Sequence, residues 1–192
     1  MKLVISVFII CFCTTQTIAQ KKSYDKQMNK LTDYLMEVER NIPALGKQQG
    51  DISAANVGWH LEHILLTIDR VIDSLNASDP TQYKYSFKPV KTIVFLAGAF
   101  PRGRAKAPAA VVPETYDEES LRKHLMTTRL NMEALSNVDA DRFFNHLIFG
   151  NLKTKKTVKF LGIHTNHHLK IIYDIVKDSK WDKETIITRK WY

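Results

Sequence analysis

The sequence predicts an all-α fold: a four-helix bundle whose second and third helices are joined by a long crossover containing a short extra helix. Three observations carry this expectation. Four stretches of the 192-residue chain repeat apolar residues in steps of three and four, the period of a helix with one buried face. Strand signals are weak; the alternation of Tyr83, Tyr85 and Phe87 stands alone. The connections are short to moderate except for residues 83–113, so the helices should be neighbours in space.

In the first helix the stripe is Tyr24, Met28, Leu31, Leu35, Val38, Ile42 and Leu45, and Pro43 should end or bend it near Asn41. Gly46 and Gly50 mark the turn that follows. Ser53 is the expected N-cap of the second helix. Its buried stripe is Val57, Leu61, Ile64, Ile68, Val71 and Leu75, and the helix should stop near Asn76, where Ala77-Ser78-Asp79-Pro80 reads as loop. Inside the crossover, Thr92 to Phe100 is an apolar run expected to form a short helix laid against the bundle. It is too short to span a bilayer. Asp117-Glu118-Glu119 opens the third long helix, with acid where the helix dipole favours it. Leu121, Leu125, Thr128, Met132 and Leu135 line its inner face, and His124 lies off that stripe and is expected at the surface. After a turn at 137–141, residues 143–150 lead into the last helix, which should start near Thr154.

Residues 1–19 read as a secretory signal peptide. Lys2 supplies the positive start, Leu3 to Cys13 the apolar run, and Thr17-Ile18-Ala19 the small-residue cleavage pattern. Export to the periplasm or beyond is therefore expected, with residues 20–192 as a single domain and no stable membrane insertion. The flanks of Cys11 and Cys13 lack the small residues of a lipoprotein cleavage box, which argues against lipidation. Both cysteines lie in the leader, so the processed chain would hold no thiol and no disulfide. Any metal must then be held by His, Asp, Glu or backbone, and thiolate zinc sites are excluded. The formal charge of +8 becomes +7 when Lys2 leaves with the leader. Such a balance raises a nucleic-acid partner. The spread of the lysines along every segment and the export signal argue against one, and attraction to an acidic envelope is the simpler reading.

Three of the seven histidines fall in residues 164–168. Residues four apart on a helix lie one above the other, so His164 and His168 share the stripe Leu161, His164, His168, Ile171 and Ile175. Two buried imidazoles one turn apart need hydrogen-bond partners or a metal. A third donor comes from the second helix. At about 100° per residue, His60 lies at the edge of the apolar stripe, while His63 points further round, to flank the site or face solvent. His60, His164 and His168 thus form the expected ligand set, with His63 as the alternative register and His167 as a flanking group. Three imidazoles suit Zn²⁺, Ni²⁺ or Fe²⁺ and leave positions open for water or substrate. Arg102, Arg104 and Lys106 in the crossover loop are candidates for receiving an anionic group over the site.

This pattern resembles the DinB-like superfamily of metal-dependent enzymes, which includes the YfiT-type proteins. The matching pieces are Ser53 through His60-Leu61, and His164-Thr165-Asn166-His167-His168-Leu169. Pro101-Arg102-Gly103 with Ala107-Pro108, and His146-Leu147-Ile148-Phe149-Gly150, are similar to one branch of it, which carries proline where Leu147 stands. The resemblance implies a four-helix bundle with one histidine on the second helix and a pair on the last. It also implies a divalent ion that activates water or a small thiol, and hence a hydrolase or transferase acting on a small molecule. No carboxylate stands in the motif facing the ion, so the base is unassigned, with His63, His146 and His167 as candidates. A bundle that binds a metal or small ligand without turning anything over is the alternative, and a homodimer stays open.

Overall fold

The computed structural model describes residues 2–103 and 106–178, with side chains from Lys21 to Lys177. It is mainly helical. The elements are α1 (Lys2–Asn41), α2 (Val57–Ala77), α3 (Pro89–Ala97), α4 (Glu118–Leu135), the strands β1 (Phe143–His146) and β2 (Gly150–Lys153), and α5 (Thr154–Asp178). Short 3₁₀ turns at Ile42–Ala44, Pro80–Gln82 and Ala109–Val111 punctuate the loops. The four long helices pack around one core: α5 lies against α1 and α2, and α4 lies against α2 and α1. Among the described residues no helix is long and apolar enough to cross a membrane.

The apolar periodicity accounts for the packing. Leu31, Leu35, Val38 and Ile42 of the first stripe are essentially inaccessible, as are Val57, Leu61, Ile64, Ile68 and Leu75 of the second. Leu121, Leu125, Thr128, Met132 and Leu135 of α4 are buried as their spacing requires. Helix α1 ends at Asn41, where Pro43 turns the chain into a 3₁₀ turn. Its backbone extends to Lys2, well before the Tyr24 start that the stripe marks.

Ser53 is not the cap of α2. That role falls to Asn56, whose side chain accepts from the Trp59 N–H at 2.9 Å. Two further N–H groups of the first turn, on Val57 and Gly58, donate to the carbonyls of Lys47 and Leu45, so the orphan donors of this terminus are used by the preceding loop. Gly58 has a packing reason to be glycine. A Cβ there would meet the Tyr116 ring at 2.5 Å, and the Tyr116 hydroxyl donates to Asn56 Oδ1 at 2.7 Å.

In the crossover the short helix runs from Pro89 to Ala97, three residues earlier than the apolar run suggests. Pro89 sits at its first turn, and Gly98 closes it in the left-handed region at φ +61°. Residues 143–153, expected only to lead into the last helix, form an antiparallel hairpin. Phe143 pairs with Lys153 and His146 with Gly150. Gly150 has φ +69°, and a Cβ there would overlap Ser86 Oγ, so the hairpin is clamped against residues 84–86.

Candidate metal centre

Helix α5 begins at Thr154 as expected and stacks His164 and His168 one turn apart. Helix α2 brings two more imidazoles, and both are buried at 3% exposure: His60 and His63. His63 is covered because the 3₁₀ turn at 109–111 closes over it. Its Nδ1 lies 2.6 Å from the carbonyl of Val111. A carbonyl only accepts, so His63 carries its proton on Nδ1 and keeps the Nε2 lone pair free. The Trp59 ring stacks on the other side of His63, 4.8 Å away and inclined by 16°.

His63, His164 and His168 bring one ligand atom each within 4.8 Å of the others. Their ring centroids form a near-regular triangle: His63 to His168 4.6 Å, His164 to His168 4.6 Å, and His63 to His164 5.1 Å. The sequence reading placed His60 in this set, with His63 as the other register. The structure brings His63 to the meeting point of the three rings and sets His60 behind His168. The Nδ1 atoms of His60 and His168 are 3.0 Å apart, and His60 Nε2 lies 3.0 Å from Ser53 Oγ. Ser53, displaced from its expected capping role, is thus the outer end of a hydrogen-bonded line that reaches His168.

The electrostatics of the cluster are uniform. Burial pushes His164 and His168 well below the usual imidazole value of 6.5, and neighbouring imidazoles add to it. His60 is lowered to about 4, chiefly by burial. His63 is lowered by burial against the opposing bond to Val111, and His167 by burial and then the Arg102 charge. All five rings are therefore neutral near pH 7 and offer lone pairs. Among the described residues no carboxylate hydrogen-bonds to any of them. Among the described residues, Nδ1 of His164 is buried without a hydrogen-bond partner. An orphaned acceptor in a converging trio of neutral imidazoles fits a divalent ion of borderline softness. The residues present therefore pass the chemical test for such an ion.

His164 is half-buried as a residue, though its Nδ1 is inaccessible, whereas His63 and His168 are covered. Aromatic rings pack around His164. Phe160 lies 5.8 Å from His164, and Phe100 lies 6.3 Å from His164 and 5.8 Å from His167. His146 stacks on Phe149 at 4.3 Å and meets Phe160 edge-on at 4.9 Å. Its Nδ1 accepts the backbone N–H groups of Ile148 and Phe149 at 3.1 and 3.2 Å. Its proton is therefore on Nε2, and burial lowers its pKa to about 4.

Of the loop cations, Arg102 is exposed and paired with Asp174 at 2.7 Å. Lys106 is exposed, and Arg104 lies outside the described residues. His124 departs most from expectation. It is not a free surface histidine but bridges two carboxylates of α2, Glu62 at 2.8 Å and Asp69 at 3.0 Å. Thr128 and Asn131 donate to the same Asp69. The spacing held a signal for this: Glu62 and Asp69 are seven apart on α2, as are His124 and Asn131 on α4, which is two matching helical turns.

No protein-family model matches this chain, and no curated protein or solved structure is detectably similar to it.

Proposed function

We propose that this is an exported, DinB-like four-helix protein that holds one divalent ion with His63, His164 and His168 and uses it on a small molecule, as a hydrolase or transferase. The observation that carries the reading is the convergence of three neutral imidazoles, one with an orphaned nitrogen, from two helices. When bound, a divalent ion supplies Lewis acidity and lowers the pKa of a ligated water or thiol. The chain's own contribution is positional. Val111 fixes the His63 proton on Nδ1 and so points the Nε2 lone pair inward. If His168 holds the ion through Nε2, its proton is on Nδ1 and is donated to His60 Nδ1, and His60 in turn donates from Nε2 to Ser53 Oγ. Phe100 and Phe160 line the flank of His164 and would favour an apolar or aromatic substrate part beside it. His146, neutral and protonated on Nε2, contacts Phe160 and would supply a hydrogen-bond donor beside that ring.

A second reading has one observation in its favour. The rings that surround the trio are imidazoles, phenyls and the Trp59 indole, and among the described residues no carboxylate is bonded to them to serve as a strong general base. A non-enzymatic metal or small-ligand carrier fits that composition.

The deciding experiment measures metal per chain in the protein as purified and in the His164→Ala/His168→Ala variant, then screens esters, amides and thiol conjugates with and without chelator. About one ion per chain, lost in the variant, together with chelator-sensitive turnover, is the expected result. Equal and near-zero metal in both proteins removes the proposal. Full occupancy with no turnover moves it to the carrier reading.

A further inference from the structure

The charges of this chain are segregated along the sequence. Residues 80–113 contain no Asp or Glu and six Lys or Arg, and residues 142–173 contain no Asp or Glu and again six Lys or Arg. The fold brings the two segments together. Helix α3 packs on α5, with Lys159 of α5 lying 5.7 Å over the Phe95 ring. Asn151 of the hairpin donates to the carbonyl of Lys84, and Phe95 meets Phe149 edge-on at 5.9 Å. Lys91 is buried at the base of this face and donates to the Ser86 carbonyl at 2.9 Å. It feels Lys88 and Lys156 closely enough that both add to burial in lowering its pKa.

The same face is unusually apolar on the outside. Helix α3 buries Val94 and turns Ile93 and Leu96 outward at 66% and 82% exposure. Tyr85 and Phe87 precede it, both exposed, and Leu147 at the hairpin tip is 88% exposed. None of these outward side chains is needed for the core. Exposed Lys84, Lys88, Lys155 and Lys156 stand on the two segments that carry them. Arg102 and Lys153 of these segments are paired with Asp174 and Asp141, but among the described residues Lys84, Lys88, Lys155 and Lys156 form no ion pair. Apolar side chains that project beside such lysines match an anionic bilayer: lysines meet the headgroups while the apolar groups enter the acyl boundary.

We propose that the α3 face is a docking surface for the surface of an anionic lipid bilayer. The attachment is peripheral, and it is independent of the metal centre, because none of the residues named is a histidine of the trio. It predicts cooperation between charge and apolar contact, so that either alone is weak.

The test is co-sedimentation of the chain from Gln20 onward, the expected processed protein, with vesicles of phosphatidylcholine alone and of phosphatidylcholine mixed with phosphatidylglycerol, at low and high salt. Ile93→Glu/Leu96→Glu is compared with a control, Met126→Glu/Leu130→Glu, which changes two other exposed apolar residues, on α4. Without residues 1–19 the apolar run at 3–13 contributes nothing to the binding. The expected result is salt-sensitive binding of wild type and control to the anionic vesicles only, at least tenfold weaker for the α3 variant, since each lysine offset is worth roughly fivefold. Unchanged helical circular dichroism shows that the variant is folded. Equal binding by all three proteins overturns the proposal. So does a wild-type dimer that the α3 substitutions dissociate without any vesicle binding, which would assign the face to a second copy.

Discussion

His124 should make this protein lose stability in mild alkali. The perturbation is pH itself, read against the His124→Gln variant. In the folded chain the imidazole lies between Glu62 Oε1 and Asp69 Oδ2, at 2.8 and 3.0 Å, and its side chain is only 21% exposed. The hydrogen bonds to Asp69 and then Glu62 outweigh burial and raise its pKa from 6.5 to about 9. A folded-state pKa above the unfolded one means that the folded state holds the proton more tightly. The contribution is therefore complete below pH 6.5 and disappears as pH rises through about 9. At about 1.4 kcal/mol for each tenfold, the difference is about 3 kcal/mol. Urea unfolding at pH 6 and pH 10 measures it. Lysine and tyrosine titrations act on wild type and variant alike, so the signal is the difference between their losses. Wild type should lose about 3 kcal/mol more than His124→Gln. Parallel losses would refute the reasoning and leave His124 as a neutral spacer between α2 and α4.

Other perturbations bear on the metal centre and its supports. His63→Ala should abolish high-affinity metal binding, whereas His60→Gln should weaken it roughly 10- to 100-fold, as loss of an orienting partner does; calorimetric titration with Zn²⁺ separates the two, and the reverse ranking would make His60 the ligand. A saturating divalent ion at about 100 times its Kd should stabilise the wild type by about 2.7 kcal/mol and leave His164→Ala/His168→Ala unmoved, as read from thermal melting. Gly58→Ala should lower stability by roughly 1–3 kcal/mol, the usual range for overpacking, because its Cβ meets the Tyr116 ring; the urea midpoint reports it. In acid the metal-free protein should weaken from pH 6.5 toward 4, because His60 and His146 are held near 4 in the fold and charge at 6.5 once unfolded. His146→Asn, whose side-chain oxygen can take the same two backbone N–H bonds, should flatten part of that slope.

The long helices were legible because their buried residues recur at helical spacing, and each stripe from Leu31 to Ile175 names the core that the structure shows. Local chemistry was harder. Ser53 and Asn56 are both acceptable caps, and only the path of residues 45–47 over the first turn of α2 selects Asn56. The hairpin at 143–153 has four-residue strands, too short for an alternation to register. His63 was harder still. Rotation about α2 alone turns it from the stripe, but α2 is covered on more than one side, and the Val111 carbonyl reaches it from 48 residues away. A partner supplied by a loop leaves no trace in helical periodicity. The surface expectation for His124 fails for the same reason: its position off the α4 stripe carries no information about the carboxylates that α2 presents to it.

The character of the site follows from what surrounds it. The rings of His60, His63, His164 and His167 each contact that of His168, and burial drives all five toward the neutral form. Protonating His168 would place a charge beside four rings that cannot balance it. A bound divalent ion answers the same field differently, because it is held by the lone pairs that protonation would consume. Hard ions such as Ca²⁺ and Mg²⁺ seek carboxylate and carbonyl oxygen, and the trio has none to offer. Imidazole suits Zn²⁺, Ni²⁺ and Fe²⁺, and three neutral ligands leave the ion its full double charge. A water or thiol on such a centre is acidified more than it would be beside anionic ligands. That no carboxylate bonds to these rings among the described residues therefore weakens the case for a general base while strengthening the case for an electrophilic centre. Adding one carboxylate should separate the two effects: His164→Asp would keep an ion while lowering its charge, and the pKa of a bound anion or water, followed by the visible spectrum of the Co²⁺ form, should rise. A spectrum whose pH dependence matches wild type would mean that the charge of the centre is set by groups other than these three rings.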